Sequence, residues 1–120
     1  MLVRRQLARP LPSARVSLAE KISAIRTSQL VREILTFADS YGLPRDRWNA
    51  GISGNPYQRL SRGHGIRPGD AFRVWHAGSE TLARCAERAL FGFGLKGSWG
   101  GLGEILPEFV YVFLEQKHTR

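Results

Sequence analysis

The sequence predicts an α+β fold, in which a small three-stranded sheet, mixed or antiparallel, is flanked by helices and preceded by a long N-terminal helix. Apolar residues recur at helical spacing over residues 18–41. Two segments, 71–77 and 109–114, alternate in side-chain type from one residue to the next, as strands do. A chain of 120 residues can bury one hydrophobic core but not two. We therefore expect a single domain over residues 17–115, with its core at 47–114.

The long helix has clear start and stop signals. Ser17 can cap its first turn, and Glu20 follows three residues later, which is the spacing of a capping box. Gly42 and Pro44 end the pattern, because glycine favours the position after a helix and proline cannot continue one. The segment is either one helix or two helices joined near residues 27–28, and we expect it to pack on the core.

A short strand over 47–53 and a short helix come next. Asparagine is a favoured N-cap residue, and proline is tolerated at the first helical position, so Asn55 and Pro56 mark the start of this helix. It is brief and ends by Gly63 or Gly65. The expected order of elements is therefore α–β–α at this point of the chain.

The second half of the chain continues the alternation. Pro-Gly at the centre of 66–70 predicts a turn, and Ser79 can cap a helix that runs to about residue 90. The glycine-rich segment 92–103 predicts a loop, and the strand 109–114 follows it. Residues 1–16 are expected to form a disordered basic arm, and residues 116–120 a tail.

The charge of the chain points to a polyanionic partner. Eighteen basic residues face ten acidic ones, which gives a net charge of +8 and an isoelectric point near 10.8. Fifteen of the basic residues are arginine, whose planar fork binds phosphate through two hydrogen bonds. The expected partner is nucleic acid, with DNA favoured over RNA, or a nucleoprotein complex. The alternative is a compositional bias that enriches arginine without functional meaning.

Two further observations bear on location. The longest strongly apolar run is 109–114, far below the roughly 20 residues that span a bilayer, so we expect no membrane association. A single cysteine, Cys85, excludes an internal disulfide framework and suits a reducing compartment. We therefore expect a cytoplasmic protein.

One stretch, RWNAGISGNPYQRL (47–60), resembles a known family signature. Gly51, followed by Arg59 eight residues later and then by His64, is similar to the second half of the signature of the GIY-YIG nucleases. In that family a Tyr-Ile-Gly strand leads into a helix that carries a catalytic arginine. Glu87, within ARCAERALF, occupies a position like that of the family's metal-binding glutamate. The resemblance covers about 47–92, a little over a third of the chain.

A wider resemblance includes KGSWGG (96–101) and VYVF (110–113). It is to small uncharacterised phage and plasmid proteins with a similar layout of motifs.

The resemblance implies a chemistry for these residues. Arg59 would clamp the scissile phosphate, Glu87 would bind Mg²⁺ or Mn²⁺, and His64 or a tyrosine would carry the proton. One carboxylate suffices for Mg²⁺, which keeps several waters and also binds phosphate oxygens. Gly51 and Gly54 would let the backbone approach a phosphate closely. The expectation requires Arg59 and Glu87 to converge on one pocket beside Gly51.

The sequence also departs from the family. No Gly-Ile-Tyr strand precedes residue 47, and Asn49 stands where the family has its second-motif tyrosine. We expect Tyr111 to substitute, because a strand at 109–114 paired antiparallel with 47–53 would fill the place of the absent first strand, as in a permuted chain.

Each candidate has an ordinary alternative. Arg59 could be a solvated helix residue, Glu87 could pair with Arg84 or Arg88, and His64 could cap carbonyls at a helix end.

The expected nucleic-acid contacts are Arg45, Arg47, Asn49, Arg62, Arg67, Arg73 and Lys96.

Three functions remain open at this point. The first is a nucleic-acid-binding module on a GIY-YIG-like scaffold that has lost catalysis, encoded by a phage or mobile element. The second is an active Mg²⁺-dependent DNA endonuclease that uses Arg59 and Glu87. The third is a protein–protein adaptor, or an inhibitor of a host defence complex.

Overall fold

The computed structural model describes residues 16–97 and 106–120. The arm expected at 1–16 lies outside the described residues apart from Val16, as does the second half of the glycine-rich loop, residues 98–103. The described helices are α1 (Leu18–Asp39), the short α2 (56–63) and α3 (Glu80–Gly92). Helix α2 consists of an α-helical turn, Pro56–Gln58, followed by a π-helical turn, Arg59–Gly63. The strands are β1 (Trp48–Ser53), β2 (Phe72–His76) and β3 (Phe109–Leu114), and a 3₁₀ turn, Arg45–Arg47, precedes β1.

The three strands form an antiparallel sheet in the order β1-β3-β2, so the last strand of the chain lies at its centre. Gly51 of β1 and Val74 of β2 both pair with Tyr111 of β3. The α+β class is confirmed, and the sheet is antiparallel rather than mixed, although an isolated parallel bridge joins Asn49 to Lys96 at the outer edge of β1. The expected pairing of 109–114 with 47–53 is present.

Alternation along β3 divides the sheet into two faces. The first face carries Val110, Val112 and Leu114, and it packs against α1 and α3 in the larger of two hydrophobic clusters. This cluster includes Ile34 and Ala38 from α1 and, from α3, Ala83, Ala86 and Leu90. Small residues on α3 let the helix approach the sheet closely, and the strongly apolar strands are buried as a result.

The second face carries Tyr111 and Phe113, and α2 covers it. Leu60 of α2 is fully buried against these two rings, with Ile66 and Val74 packed beside them. The expected helix after Asn55 is therefore present, but it is one turn of α-helix followed by a π-helical turn. Asn55 does not cap it through its side chain; its Nδ2 donates to Oε1 of Gln58 at 2.8 Å.

Helix α1 is one continuous helix rather than two. The predicted capping box is present, because the Ser17 Oγ accepts from the Glu20 backbone N–H at 3.1 Å and the Glu20 carboxylate accepts from the Ser17 N–H. Only the second half of the helix contributes to the core. The first half exposes Leu18, Ile22 and Ile25, which lie at helical spacing.

Within the described ranges, none of the helices is long and apolar enough to cross a bilayer.

Candidate nucleic-acid interface

Gly51 and Tyr111 form the centre of the second face. A Cβ atom built on Gly51 would overlap the hydroxyl and ring of Tyr111. The Tyr111 ring therefore fills the space that glycine leaves open across the strand pair. Gly51 serves close packing within the sheet, and this differs from the sequence expectation that it admits a phosphate.

His64 and Tyr111 form a buried polar pair on this face. His64 Nε2 lies 2.8 Å from the Tyr111 hydroxyl, and His64 Nδ1 lies 2.6 Å from the Arg120 main-chain oxygen. A carbonyl oxygen only accepts, so in the neutral ring Nδ1 donates to Arg120 and Nε2 accepts from the tyrosine. The side chains are 8% and 3% exposed. The pair thus joins α2, the central strand and the end of the chain.

Residues 116–120, expected to be a tail, fold back against α2. The Arg120 N–H donates to the His64 carbonyl at 3.0 Å, and Arg120 Nη2 donates to the Arg62 carbonyl at 3.0 Å. His118 Nε2 lies 2.6 Å from the Asp70 carboxylate, at the turn before β2. This segment therefore brings its own basic residues beside those of α2.

The result is a cluster that we call the basic patch, made of Arg59, Arg62, Arg67, Lys117 and Arg120. Arg59 is half-exposed and the other four are exposed. The segments that carry them, 54–70 and 116–120, contain one carboxylate, Asp70. His118 and the Arg67 N–H hydrogen-bond this carboxylate and hold the pKa of Asp70 below its usual value. Asp70 is therefore ionised at neutral pH, and the patch keeps a surplus of positive charge because it has five basic side chains and only this one carboxylate.

A shallow depression of about 280 Å³ lies beside the patch, where β1 ends and α2 begins. Its lining residues are Ser53, Asn55, Gln58, Arg59, Arg62 and Gly63. Two arginines, two amides and a glycine are groups that contact phosphate and sugar oxygens in nucleic-acid complexes. The depression therefore has the chemistry of a backbone-binding groove.

Arg59 and Glu87 lie on elements that pack against opposite faces of the sheet. Leu60, next to Arg59, is buried against Tyr111 on the second face, whereas Ala86, next to Glu87, is buried in the first-face cluster. The structure brings Arg59 into the same region as His64 and Tyr111, but it does not bring Glu87 there. The expected convergence of Arg59 and Glu87 on one pocket is not seen.

Glu87 has its own surroundings on α3. It is half-buried, and burial raises the pKa of its carboxyl, an effect that the nearby Arg84 partly opposes. Arg84 itself pairs with Glu80 at 2.7 Å. Across residues 16–97 and 106–120, no group of three or more His, Cys, Asp or Glu side chains is placed to hold a metal ion. The Mg²⁺ or Mn²⁺ implied by the resemblance stays a prediction, and Glu87, its expected ligand, lies on an element that packs on the opposite face of the sheet from Arg59.

The other predicted nucleic-acid contacts fall in three places. Arg62 and Arg67 belong to the basic patch. Arg47, Asn49 and Lys96 gather around Glu115 at the outer edge of β1, where Lys96 Nζ lies 2.7 Å from the carboxylate. This lysine, with smaller contributions from Asn49 and Arg47, lowers the pKa of Glu115. The carboxylate offsets much of the positive charge there.

Arg45 and Arg73 lie on the side of the sheet that α1 covers. Arg45 pairs with Asp39 at 2.8 Å, and Arg73 lies over the rings of Phe37 and Trp75 at 5.6 and 5.1 Å. Both arginines are therefore engaged with the first-face core and lie away from the basic patch.

Sequence reasoning missed Lys117 and Arg120, which it assigned to a tail, and the exposed rings of Tyr57 and Phe72. The signal for the two basic residues was weak, because the six residues that follow β3, 115–120, carry no periodicity. For the aromatic residues, the available signal in the sequence was Tyr57, which lies two positions before Arg59.

Comparison of the chain with protein-family models, with curated proteins and with solved structures finds no match. The relation to GIY-YIG nucleases therefore remains an expectation from the residues at 47–92.

The buried His64 ring predicts a specific acid sensitivity of the fold. Burial, with the nearby charges of Arg59 and Arg120, lowers the pKa of His64, although its hydrogen bond to the Arg120 main chain opposes this. The unfolded chain takes up this proton near pH 6.5, and the native chain only at lower pH. The free energy of unfolding should therefore fall as pH drops below about 6.5, until the folded-state pKa is passed.

Urea midpoints at several pH values between neutrality and mild acid test this. His64→Gln should flatten the loss, while His76→Gln, which replaces an exposed ring, should keep it. The same pH dependence in wild type and His64→Gln would contradict the assignment.

Proposed function

We propose that this protein binds nucleic acid through the basic patch and does not cleave it. The main supporting observation is that two segments distant in sequence, α2 with the following turn and residues 116–120, pack together and carry five basic side chains and one ionised carboxylate, Asp70. Such a concentration of arginine attracts a chain of phosphates, because each contact releases condensed counterions. The GIY-YIG resemblance enters this proposal as a scaffold only.

The distribution of charge on the rest of the described surface supports the basic patch as the binding site. Arg45 and Arg84 on the helical side pair with Asp39 and Glu80. Lys96 pairs with Glu115 at the β1 edge. These basic groups are partly neutralised by neighbours, so their contribution to a surface potential is smaller. The basic patch, with five basic side chains and one carboxylate, is therefore the surface where we expect a polyanion to bind.

The positions of the candidate catalytic groups support binding without hydrolysis. Glu87 is on the far side of the sheet from Arg59, and the His64–Tyr111 pair is buried beneath α2. A phosphate in the depression beside Arg59 would therefore meet donors that hold it, but no carboxylate from α3. We expect no Glu87-dependent nicking of supercoiled plasmid with Mg²⁺ or Mn²⁺.

One observation favours a second candidate function. The first half of α1 exposes Leu18, Ile22 and Ile25, with exposures of 73%, 43% and 57%. An apolar stripe of this kind is typical of helices that meet another protein. An adaptor function would use this stripe and would not require the basic patch.

A charge reversal with a matched control tests the proposal. Arg62→Glu in the patch should weaken binding of a labelled oligonucleotide roughly tenfold at low salt, measured by fluorescence polarisation. Arg26→Glu, on the exposed half of α1, changes the net charge equally and should have a much smaller effect. Equal effects of the two variants would contradict the assigned surface. If the wild type does not bind at all, the proposed function is wrong and the adaptor function is the remaining candidate.

A further inference from the structure

Two large rings are exposed on the side of the sheet that carries the basic patch. Tyr57 of α2 is 63% exposed, and Phe72, the first residue of β2, is 37% exposed. Their centroids lie 6.4 Å apart with an interplanar angle of 82°. In such an edge-to-face pair, at least one face of each ring is left uncovered by the other. The pair therefore holds its rings in a defined orientation and still presents a flat aromatic surface.

The aromatic pair is held by the same elements as the basic patch. Tyr57 precedes Arg59 by two residues in α2, whose Leu60 is anchored under the helix against Phe113. Phe72 follows the turn in which the Arg67 N–H donates to Asp70 at 2.8 Å. Tyr57 and the patch arginines Arg59, Arg62 and Arg67 thus lie on one short helix and the turn that follows it, and Phe72 begins the strand after that turn.

The combination of exposed rings and arginines selects a class of nucleic acid. In a duplex the flat faces of the bases are stacked on one another and are not available, whereas in a single strand they are. Proteins that bind single strands place a positive groove along the backbone and aromatic side chains against the bases. We propose that this surface binds single-stranded nucleic acid, with Tyr57, supported by Phe72, stacking on a base while the basic patch holds the flanking phosphates. This inference rests on the proposed function and specifies its ligand.

The stacking contact between Tyr57 and a base sets the size of the expected loss of affinity. A base stacked on an aromatic ring contributes enough that its removal weakens binding by roughly 5- to 150-fold. Tyr57→Ala should therefore produce a loss within this range on a mixed-sequence single strand of about 16 nucleotides. Tyr57→Phe keeps the ring and should bind within about twofold of wild type, because stacking does not need the hydroxyl.

Three probes separate stacking from charge: the single strand, its duplex, and an abasic strand of the same length, which has the same phosphates and no bases. Fluorescence polarisation at one low salt concentration measures all three with wild type, Tyr57→Ala, Tyr57→Phe and the control Phe93→Ala. Phe93 is another exposed ring, at the end of α3 on the helical side. Circular dichroism melts confirm that each variant is folded.

The expected result is that the wild type prefers the single strand to both other probes, and that Tyr57→Ala removes this preference without changing the abasic affinity. If Tyr57→Ala leaves single-strand binding unchanged, or weakens the abasic strand equally, the inference is overturned, and the aromatic pair is then better explained as a protein contact. Duplex binding that depends on Arg62 but not on Tyr57 would overturn the inference and preserve the proposed function. Binding to none of the three probes would overturn both this inference and the proposed function.

Discussion

Replacing Gly51 with valine is expected to lower the free energy of unfolding by about 1–3 kcal/mol. The new Cβ would overlap the ring and hydroxyl of Tyr111 on the adjacent central strand. Tyr111 cannot move freely, because it is 3% exposed and its hydroxyl is hydrogen-bonded to His64. The strands would have to separate locally, and α2 would lose part of its contact with the second face. Urea unfolding followed by circular dichroism measures the change.

A matched glycine and a double variant make this test specific. Gly92→Ala, in the last turn of α3, places its methyl group in open space and should be neutral or slightly stabilising. Combining Gly51→Val with Tyr111→Ala should be less damaging than the sum of the two, because the smaller side chain removes the overlap. Additive losses in the double variant would show that Gly51 and Tyr111 are not in the contact described here.

Trp48→Ala is expected to be the more damaging change, costing about 3–5 kcal/mol of unfolding free energy. Trp48 is fully buried at the start of β1, and its ring makes edge-to-face contacts with Phe37 in the last turn of α1 and with Tyr41 just after the helix. It therefore connects the long helix to the sheet. Loss of the indole would leave a large cavity at that junction, and chemical denaturation would report a reduced midpoint.

A second substitution, Trp48→Phe, separates the contribution of the packed ring from that of the indole N–H. The indole Nε1 of Trp48 is buried and has no hydrogen-bond partner among the described residues. Substitution by phenylalanine removes this unsatisfied group and keeps most of the aromatic volume, so we expect a loss well below that of Trp48→Ala. Equal losses from the two substitutions would contradict the attribution of Trp48's contribution to its packed aromatic volume.

Much of the fold could be predicted because its signals are local. The capping box at Ser17 and Glu20, the alternation along 109–114 and the Ser79 cap all act over a few residues, and the structure has helices and strands at these places. The pairing of the last strand with the first was a hypothesis based on the resemblance, in which the strand at 109–114 fills the place of the family's absent first strand, and the structure has this pairing.

The candidate site was less predictable because it depends on which face of the sheet each helix covers. Spacing along the chain places Arg59 and Glu87 on helices, but the path of the loops decides that α2 packs on Tyr111 and α3 on the opposite face. The docking of Arg120 onto α2 is likewise a long-range contact without a sequence pattern. Local signals determined the elements, while the site depends on long-range packing.

The salt dependence of nucleic-acid binding tests the central claim most directly. The logarithm of the association constant should fall linearly with the logarithm of salt concentration, with a slope of about −0.7 for each phosphate of a single strand that the protein neutralises. We predict that Arg62→Ala and Arg67→Ala each make the slope shallower by about 0.7, and that Arg26→Ala leaves it unchanged. Binding that does not respond to salt, or a slope that is the same in all four proteins, would contradict phosphate recognition by the basic patch.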